Sequence, residues 1–233
     1  MEKDVGNYRF AFEDEQGWRE HLRSEGFVVI ANYIPKADCD KYVQDFWGIM
    51  EVLSDGSLDR NDPNTHVLSK SYPPVMHGGM IQYIGHSKPQ WELRKRAVPL
   101  FAKLWKTNKL RTSFDGFCFM NGERNYQDRP INSFLHCDQA PIHRDVWSFQ
   151  GIQTLSNSGE GEGGFVCCPK TNLIHQQWFR EHGMENNKTN WYKFTDDEKK
   201  EEALSHCIKV NSQAGDFILF DSRTFHCNTI PTK

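Results

Sequence analysis

The spacing of apolar residues changes character along the chain. The stretch 25–34, EGFVVIANYI, is a short β-branched run opened by Gly26 and closed by Pro35, the pattern of a buried strand. The next segment, KADCDKYVQDFWGIMEVL, puts Cys39, Tyr42, Val43, Phe46, Ile49, Met50 and Leu53 at helical intervals, which predicts an amphipathic helix with Asp38 as its N-cap. Residues 54–66, SDGSLDRNDPNTH, are turn-forming throughout. A second helix is predicted around 90–106, with Trp91, Val98, Phe101, Leu104 and Trp105 on it and Pro99 inside it, so that it either starts late or kinks there.

From about residue 114 the period shortens. Runs at 116–121, 132–136, 146–155, 163–169, 206–211, 216–221 and 224–228 are short, β-rich and mostly separated by Gly, Pro, Asn or Asp. A series of this kind predicts an antiparallel sandwich or barrel rather than an alternating β-α-β sheet. One segment breaks it: TDDEKKEEAL, 195–204, has the form of a capping box from Thr195 to Glu198 and predicts a solvated helix. The expected architecture is mainly β with flanking helices. It is read as a single domain over 1–233, with a helix-rich part at 1–113, a β core at 114–233 and an insertion at about 176–205.

The chain has 233 residues, 37% hydrophobic and 13% aromatic, which suits a packed core and excludes disorder. Mean hydropathy is −0.72 and no apolar run approaches the ~20 residues of a membrane span. A formal net charge of −3 leaves no basic footprint for nucleic acid. The first residues are charged and carry no apolar leader core. Seven cysteines, an odd number without a C-x-x-C, are read as reduced and mostly buried thiols of a cytoplasmic protein. NKT at 187–189 fits a glycosylation acceptor but has no secretory signal to accompany it.

The densest chemistry is HCDQAPIHRD, 136–145. A protein-kinase catalytic loop is excluded: the position five residues after the aspartate of HRD is Gln150 rather than Asn, and no Gly-rich loop precedes it. In a strand, residues i and i+2 point to one side, so His136 and Asp138 aim at one point while Cys137 faces away. Two such ligands underhold a divalent ion. His226, on a strand near the C-terminus after the Gly215-Asp216 turn and the FILF run, is the candidate third. Two histidines and one carboxylate leave three open positions, the arrangement of non-haem Fe(II) oxygenases. A zinc site built from His136, His143, His175 or the cysteines matches no zinc spacing and has no evident water-activating Glu.

The chain resembles the phytanoyl-CoA dioxygenase-like family. EGFVVIANYIPKADCDKY is similar to that family's opening, and FLHCDQ, SFQGIQTLSNSGEGEGGFVCCPKTNLIH and AGDFILFDSRTFHCN are similar to its three core segments in order. The resemblance implies a double-stranded β-helix, related to jelly rolls and cupins. It implies oxidation of a C–H bond of a small organic substrate with Fe(II), 2-oxoglutarate and O2, with decarboxylation to succinate. The family's metal ligands map to His136, Asp138 and His226. Halogenating relatives lack the carboxylate, so Asp138 implies hydroxylation or a similar oxidation.

The same resemblance implies a basic residue, usually Arg, after the distal histidine to hold the far carboxylate of 2-oxoglutarate. None lies in CNTIPTK. Three readings stand: the chain lacks its last strands, Arg223 or Lys233 substitutes, or cosubstrate binding has been lost. Arg223 is also read as a salt bridge at the barrel rim. Thr154 and Asn228 are carried over as further cosubstrate neighbours. His143 and Arg144 are read as an exposed turn or as guards of the mouth, Gln82 and Tyr83 as core or substrate wall, and His175 as structural. The leading expectation is an oxygenase; the alternative is a non-catalytic binding or regulatory module on the same fold.

Overall fold

The computed structural model describes residues 6–66, 76–77, 79–120 and 134–232. Lys233 lies outside them, as does the side chain of Glu198 and with it the predicted capping box. In chain order the elements are β1 (Arg9–Phe10), α1 (Glu15–Glu25), β2 (Phe27–Ile30), α2 (Lys36–Leu53), a 3-10 turn (Pro63–Thr65), β3 (Met76–His77), β4 (Met80–Ile81) and α3 (Lys88–Trp105). There follow β5 (Phe117–Cys118), β6 (His136–Cys137), β7 (Phe149–Gln153), β8 (Gly164–Cys168), α4 (Thr171–Glu181), β9 (Tyr192–Lys193), α5 (Asp197–Ser205), β10 (Ile208–Lys209), β11 (Phe217–Asp221) and β12 (Phe225–Thr229).

Two sheets make the core. One has the order β1-β2-β11-β7, the other β10-β8-β12-β6-β9, and a small sheet β3-β4-β5 stands beside them. The strand β11, FILFD, is buried at every position because both its faces are covered. Ile218 and Phe220 turn inward to meet Phe27, Val29, Phe165 and Cys167, which is the interface between the two sheets. Phe217 and Leu219 turn outward onto Trp18 and Leu22 of α1 and Ala97 and Leu100 of α3. Each such fully buried side chain contributes ~2 kcal/mol. The second sheet is covered likewise: Cys137, Cys168, Phe225 and Cys227 face Trp178 and Phe179 of α4. The fold is mainly β with flanking helices, as the periodicity and the resemblance both predict.

Two glycines fix the closest approaches. Gly26 ends α1 in the left-handed conformation, φ 84°, and donates its N–H to the Leu22 carbonyl; a Cβ there would strike Thr224 and Asn172. A Cβ at Gly151 would strike the ring of Phe217, so β7 can lie this close to the outer core only with glycine. Asp216, fully buried, ties the sheet edge: its carboxylate accepts from Arg9 Nε at 2.9 Å and Nη2 at 2.8 Å and from the backbone N–H groups of Asn32 and Gln213, each at 2.9 Å.

Several expectations are corrected. α2 begins at Lys36 with Pro35 at its N-cap, and Asp38 lies within the first turn, paired with Arg96 at 2.8 Å. α3 starts at Lys88 and runs through Pro99. The helix-rich N-terminal part also supplies β1 and β2 to the first sheet. The thiols are not all reduced: Cys168 and Cys207 are joined as a disulfide, while Cys39, Cys118, Cys137, Cys167 and Cys227 are free.

Candidate metal centre

Strand pairing assembles the site. β12 lies between β8 and β6, and His226 is the cross-strand partner of His136 on one side and of Cys167 on the other. Directly opposed residues of antiparallel strands share a face. His136 and His226 therefore point together into the space between the sheets, their rings 4.2 Å apart. Cys137 points the other way, fully buried against α4. The chain leaves β6 at Asp138, whose N–H donates to the Ser222 carbonyl at 3.0 Å.

The three side chains converge. Asp138 Oδ1 lies 3.8 Å from His136 Nε2 and Asp138 Oδ2 lies 3.5 Å from His226 Nε2. His136, Asp138 and His226 offer ligand atoms all within 4.8 Å of one another, and among the described residues they form the group able to hold a metal ion. Both imidazoles are oriented the same way. Nδ1 of His136 donates to the Phe134 carbonyl at 2.8 Å, and Nδ1 of His226 to the Thr224 carbonyl at 2.9 Å. A proton held at Nδ1 leaves the lone pair on Nε2, the atom that faces the carboxylate in both cases. Burial, and then the neighbouring His136, push the His226 imidazole down to about 4, with Asp138 acting against them. A neutral imidazole is the form that binds a metal. The donor set, two nitrogens and one carboxylate, suits Fe(II), and no thiolate belongs to it.

Two amides that sequence reasoning did not assign to the site complete it. Gln150, on β7 of the opposite sheet, donates from Nε2 to Asp138 Oδ2 at 2.9 Å. Gln139, fully buried, donates to the carbonyls of His143 and Asp145 and accepts from the Trp147 N–H and the Ser222 hydroxyl. It pins the 139–147 turn to the ligand strand, which accounts for much of the composition of HCDQAPIHRD. Phe220 and Phe165 line the closed side, with ring centres 4.8 Å and 5.6 Å from that of His226.

The remaining candidates are placed as follows. Arg223 is engaged by Asp221 through two side-chain contacts, at 2.9 Å and 2.6 Å. The Thr154 hydroxyl meets Ser212 Oγ at 3.3 Å, four residues beyond Gln150 and so about 13 Å along the chain. Asn228 follows His226 on the same face of β12, with Nδ2 3.9 Å from Cys118 Sγ. His143 stacks on Trp147 in an exposed turn. Gln82 and Tyr83 are exposed. His175 is on the buried face of α4, with Nε2 donating to the Gln139 carbonyl at 3.0 Å.

The model of the phytanoyl-CoA dioxygenase family matches residues 22–227, nearly the whole chain. The chain belongs to the phytanoyl-CoA dioxygenase family. A relative, Ava biosynthesis cluster protein O of Aspergillus versicolor, is 27% identical over 222 residues, covering 90% of this chain and 70% of its own. Two solved structures show the fold of the family member described here. The GlcNAc Inducible Gene 2 protein of Candida albicans superposes with a TM-score of 0.62 at 12% identity, over 97% of this chain and 63% of that one. This chain thus spans less than two thirds of that protein. EctD of S. alaskensis, solved with 2-oxoglutarate and 5-hydroxyectoine, gives 0.53 at 12% identity, over 96% of this chain and 72% of that one.

Proposed function

We propose that the protein is an Fe(II)- and 2-oxoglutarate-dependent oxygenase that hydroxylates, or otherwise oxidises, a small organic substrate. The observation that carries this is the paired orientation of His136 and His226: each imidazole is fixed through Nδ1 so that both Nε2 atoms meet the Asp138 carboxylate. His136, Asp138 and His226 would hold the iron on one face, leaving room for a chelating cosubstrate and O2. When bound, iron supplies the activation of O2, coupled to conversion of 2-oxoglutarate to succinate and CO2 and to oxidation of a substrate C–H bond.

The chain's own part is positioning. Gln150 holds one oxygen of Asp138 and so presents the carboxylate edge-on to the imidazoles. Phe165 and Phe220 keep water from the closed side. Asn228, on the face of His226, is the candidate neighbour of 2-oxoglutarate. Arg223 would have to leave Asp221 to reach an anion there, and Thr154 would act only from the far end of β7. Among the described residues no helix is long and apolar enough to cross a membrane.

The test is succinate release from 2-oxoglutarate with iron, ascorbate and air, for the wild-type protein and for His136→Ala. Turnover that falls at least about 100-fold in the variant supports the reading. Equal turnover in both overturns it. No succinate from a wild-type protein that binds iron tightly favours the non-catalytic module.

A further inference from the structure

Beside the metal ligands stands a group of side chains that the proposed chemistry does not use. Phe134 and Trp191 are 48% and 44% exposed, although both are large aromatics that a monomer ordinarily covers. Their rings lie 5.7 Å apart, and both border the imidazole of His136, at 4.7 Å and 6.2 Å between ring centres. Lys193 adds a charge to them. In the β6-β9 pair Lys193 is the cross-strand partner of His136, so it stands on the metal-facing side, while its neighbour Tyr192 is opposite Cys137 and packs against α4. Lys193 Nζ lies 5.5 Å over the Phe134 ring. Among the described residues no carboxylate pairs with this ammonium.

The wall continues along the rim. Asn190, next to Trp191, meets His143 Nε2 at 3.2 Å, and His143 stacks on Trp147, itself 60% exposed. A rim of open aromatic faces with one free cation, touching a metal ligand, is built to take a flat apolar body by stacking and to hold an acidic group on it.

We propose that Phe134, Trp191 and Lys193 form the recognition wall for the oxidised substrate, and that this substrate is a planar aromatic or conjugated molecule bearing a carboxylate. The inference rests on the oxygenase reading for the word substrate, but the wall itself needs no iron. Stacking on Trp191 and Phe134 places the flat body beside His136, and Lys193 anchors the acid. The same carboxylate chemistry could instead come from 2-oxoglutarate, and the test separates the two sources.

Two isosteric probes serve: 2-naphthoate and its neutral analogue 2-naphthamide. Each is titrated calorimetrically into the protein under anaerobic conditions, metal-free and loaded with Fe(II) and 2-oxoglutarate. The expected result is binding of both probes to the wild type in both states. Trp191→Ala weakens both at least tenfold. Lys193→Met weakens 2-naphthoate tenfold and leaves 2-naphthamide unchanged, and Lys193→Arg restores 2-naphthoate. Phe134→Leu, which keeps an apolar side chain, weakens both probes and so guards against a folding defect at Trp191. Unchanged affinities in Trp191→Ala and Phe134→Leu, or no binding to the wild type, overturn the proposal. Loss of 2-oxoglutarate affinity in Lys193→Met with 2-naphthoate unaffected assigns the ammonium to the cosubstrate and overturns it too. Failure of the oxygenase reading is seen separately, as absence of the Fe(II)–2-oxoglutarate visible band in the wild type while the metal-free titrations still report on the wall.

Discussion

Gln150 donates its side-chain amide to Asp138 across the two sheets, at 2.9 Å, so the orientation of a candidate metal-binding carboxylate on one sheet is set by a residue of the other. The two sheets must dock before that carboxylate is held in place. Substituting Gln150→Leu keeps the bulk and removes the donor. Iron affinity should fall about tenfold to 100-fold, read from the anaerobic Fe(II)–2-oxoglutarate band. The midpoint of thermal unfolding without metal should move little, and a large drop there would mean that the amide serves packing instead.

A second prediction concerns Asp216. Its carboxylate is buried and pairs with Arg9 and two backbone N–H groups, so Asp216→Ala takes the acceptor from both N–H groups and the countercharge from Arg9. The expected cost is about 3 kcal/mol, seen as a lower urea midpoint at unchanged slope. Arg9→Met should also be destabilising, because it leaves the fully buried Asp216 carboxylate without its countercharge.

Acid sensitivity should trace in part to His175. Burial pushes this imidazole down to about 4 from an ordinary 6.5. The unfolded chain then binds the extra proton first as pH falls. The stability that His175 lends the native state is complete above pH 6.5 and is lost progressively between pH 6.5 and about 4, amounting to about 3 kcal/mol over that window. His175→Gln should flatten this limb in a series of urea titrations. His21 and His226, lowered for the same reason, keep a residual slope. An unchanged limb in the variant would remove His175 from the account.

The Cys168–Cys207 disulfide predicts a thiol count. Alkylation of the denatured, unreduced protein should modify five cysteines, and after reduction seven, by intact-mass measurement. Seven before reduction would return all the cysteines to the reduced state that the composition suggested.

The candidate ligands were legible in the sequence for a definite reason. H-x-D is a local pattern whose two side chains must share a face in an extended chain, and His226 lies on the extended stretch that follows the Gly215-Asp216 turn and the apolar FILF run. What was not legible depends on pairing between distant segments. Gln150 reads as one polar residue in an alternating strand, and nothing in FQGIQ says whether it faces solvent or Asp138. The helix α1 was missed because its apolar positions, Trp18 and Leu22, are two among eleven mostly charged or polar residues, and α4 because TNLIH continues directly from a strand. The disulfide joins β8 to the turn before β10, a proximity that only the ladder between them creates.

The alignment of β12 with β6 carries a consequence for inherited change. Side chains on this strand alternate between the cavity holding His226 and the apolar layer under α4 that receives Phe225 and Cys227. One residue inserted between Phe225 and His226 would turn the imidazole into that greasy layer and present a different side chain to Asp138. Length variation can therefore accumulate in the turns of this protein, whereas within these five residues even the smallest insertion exchanges the reactive side for the inert one.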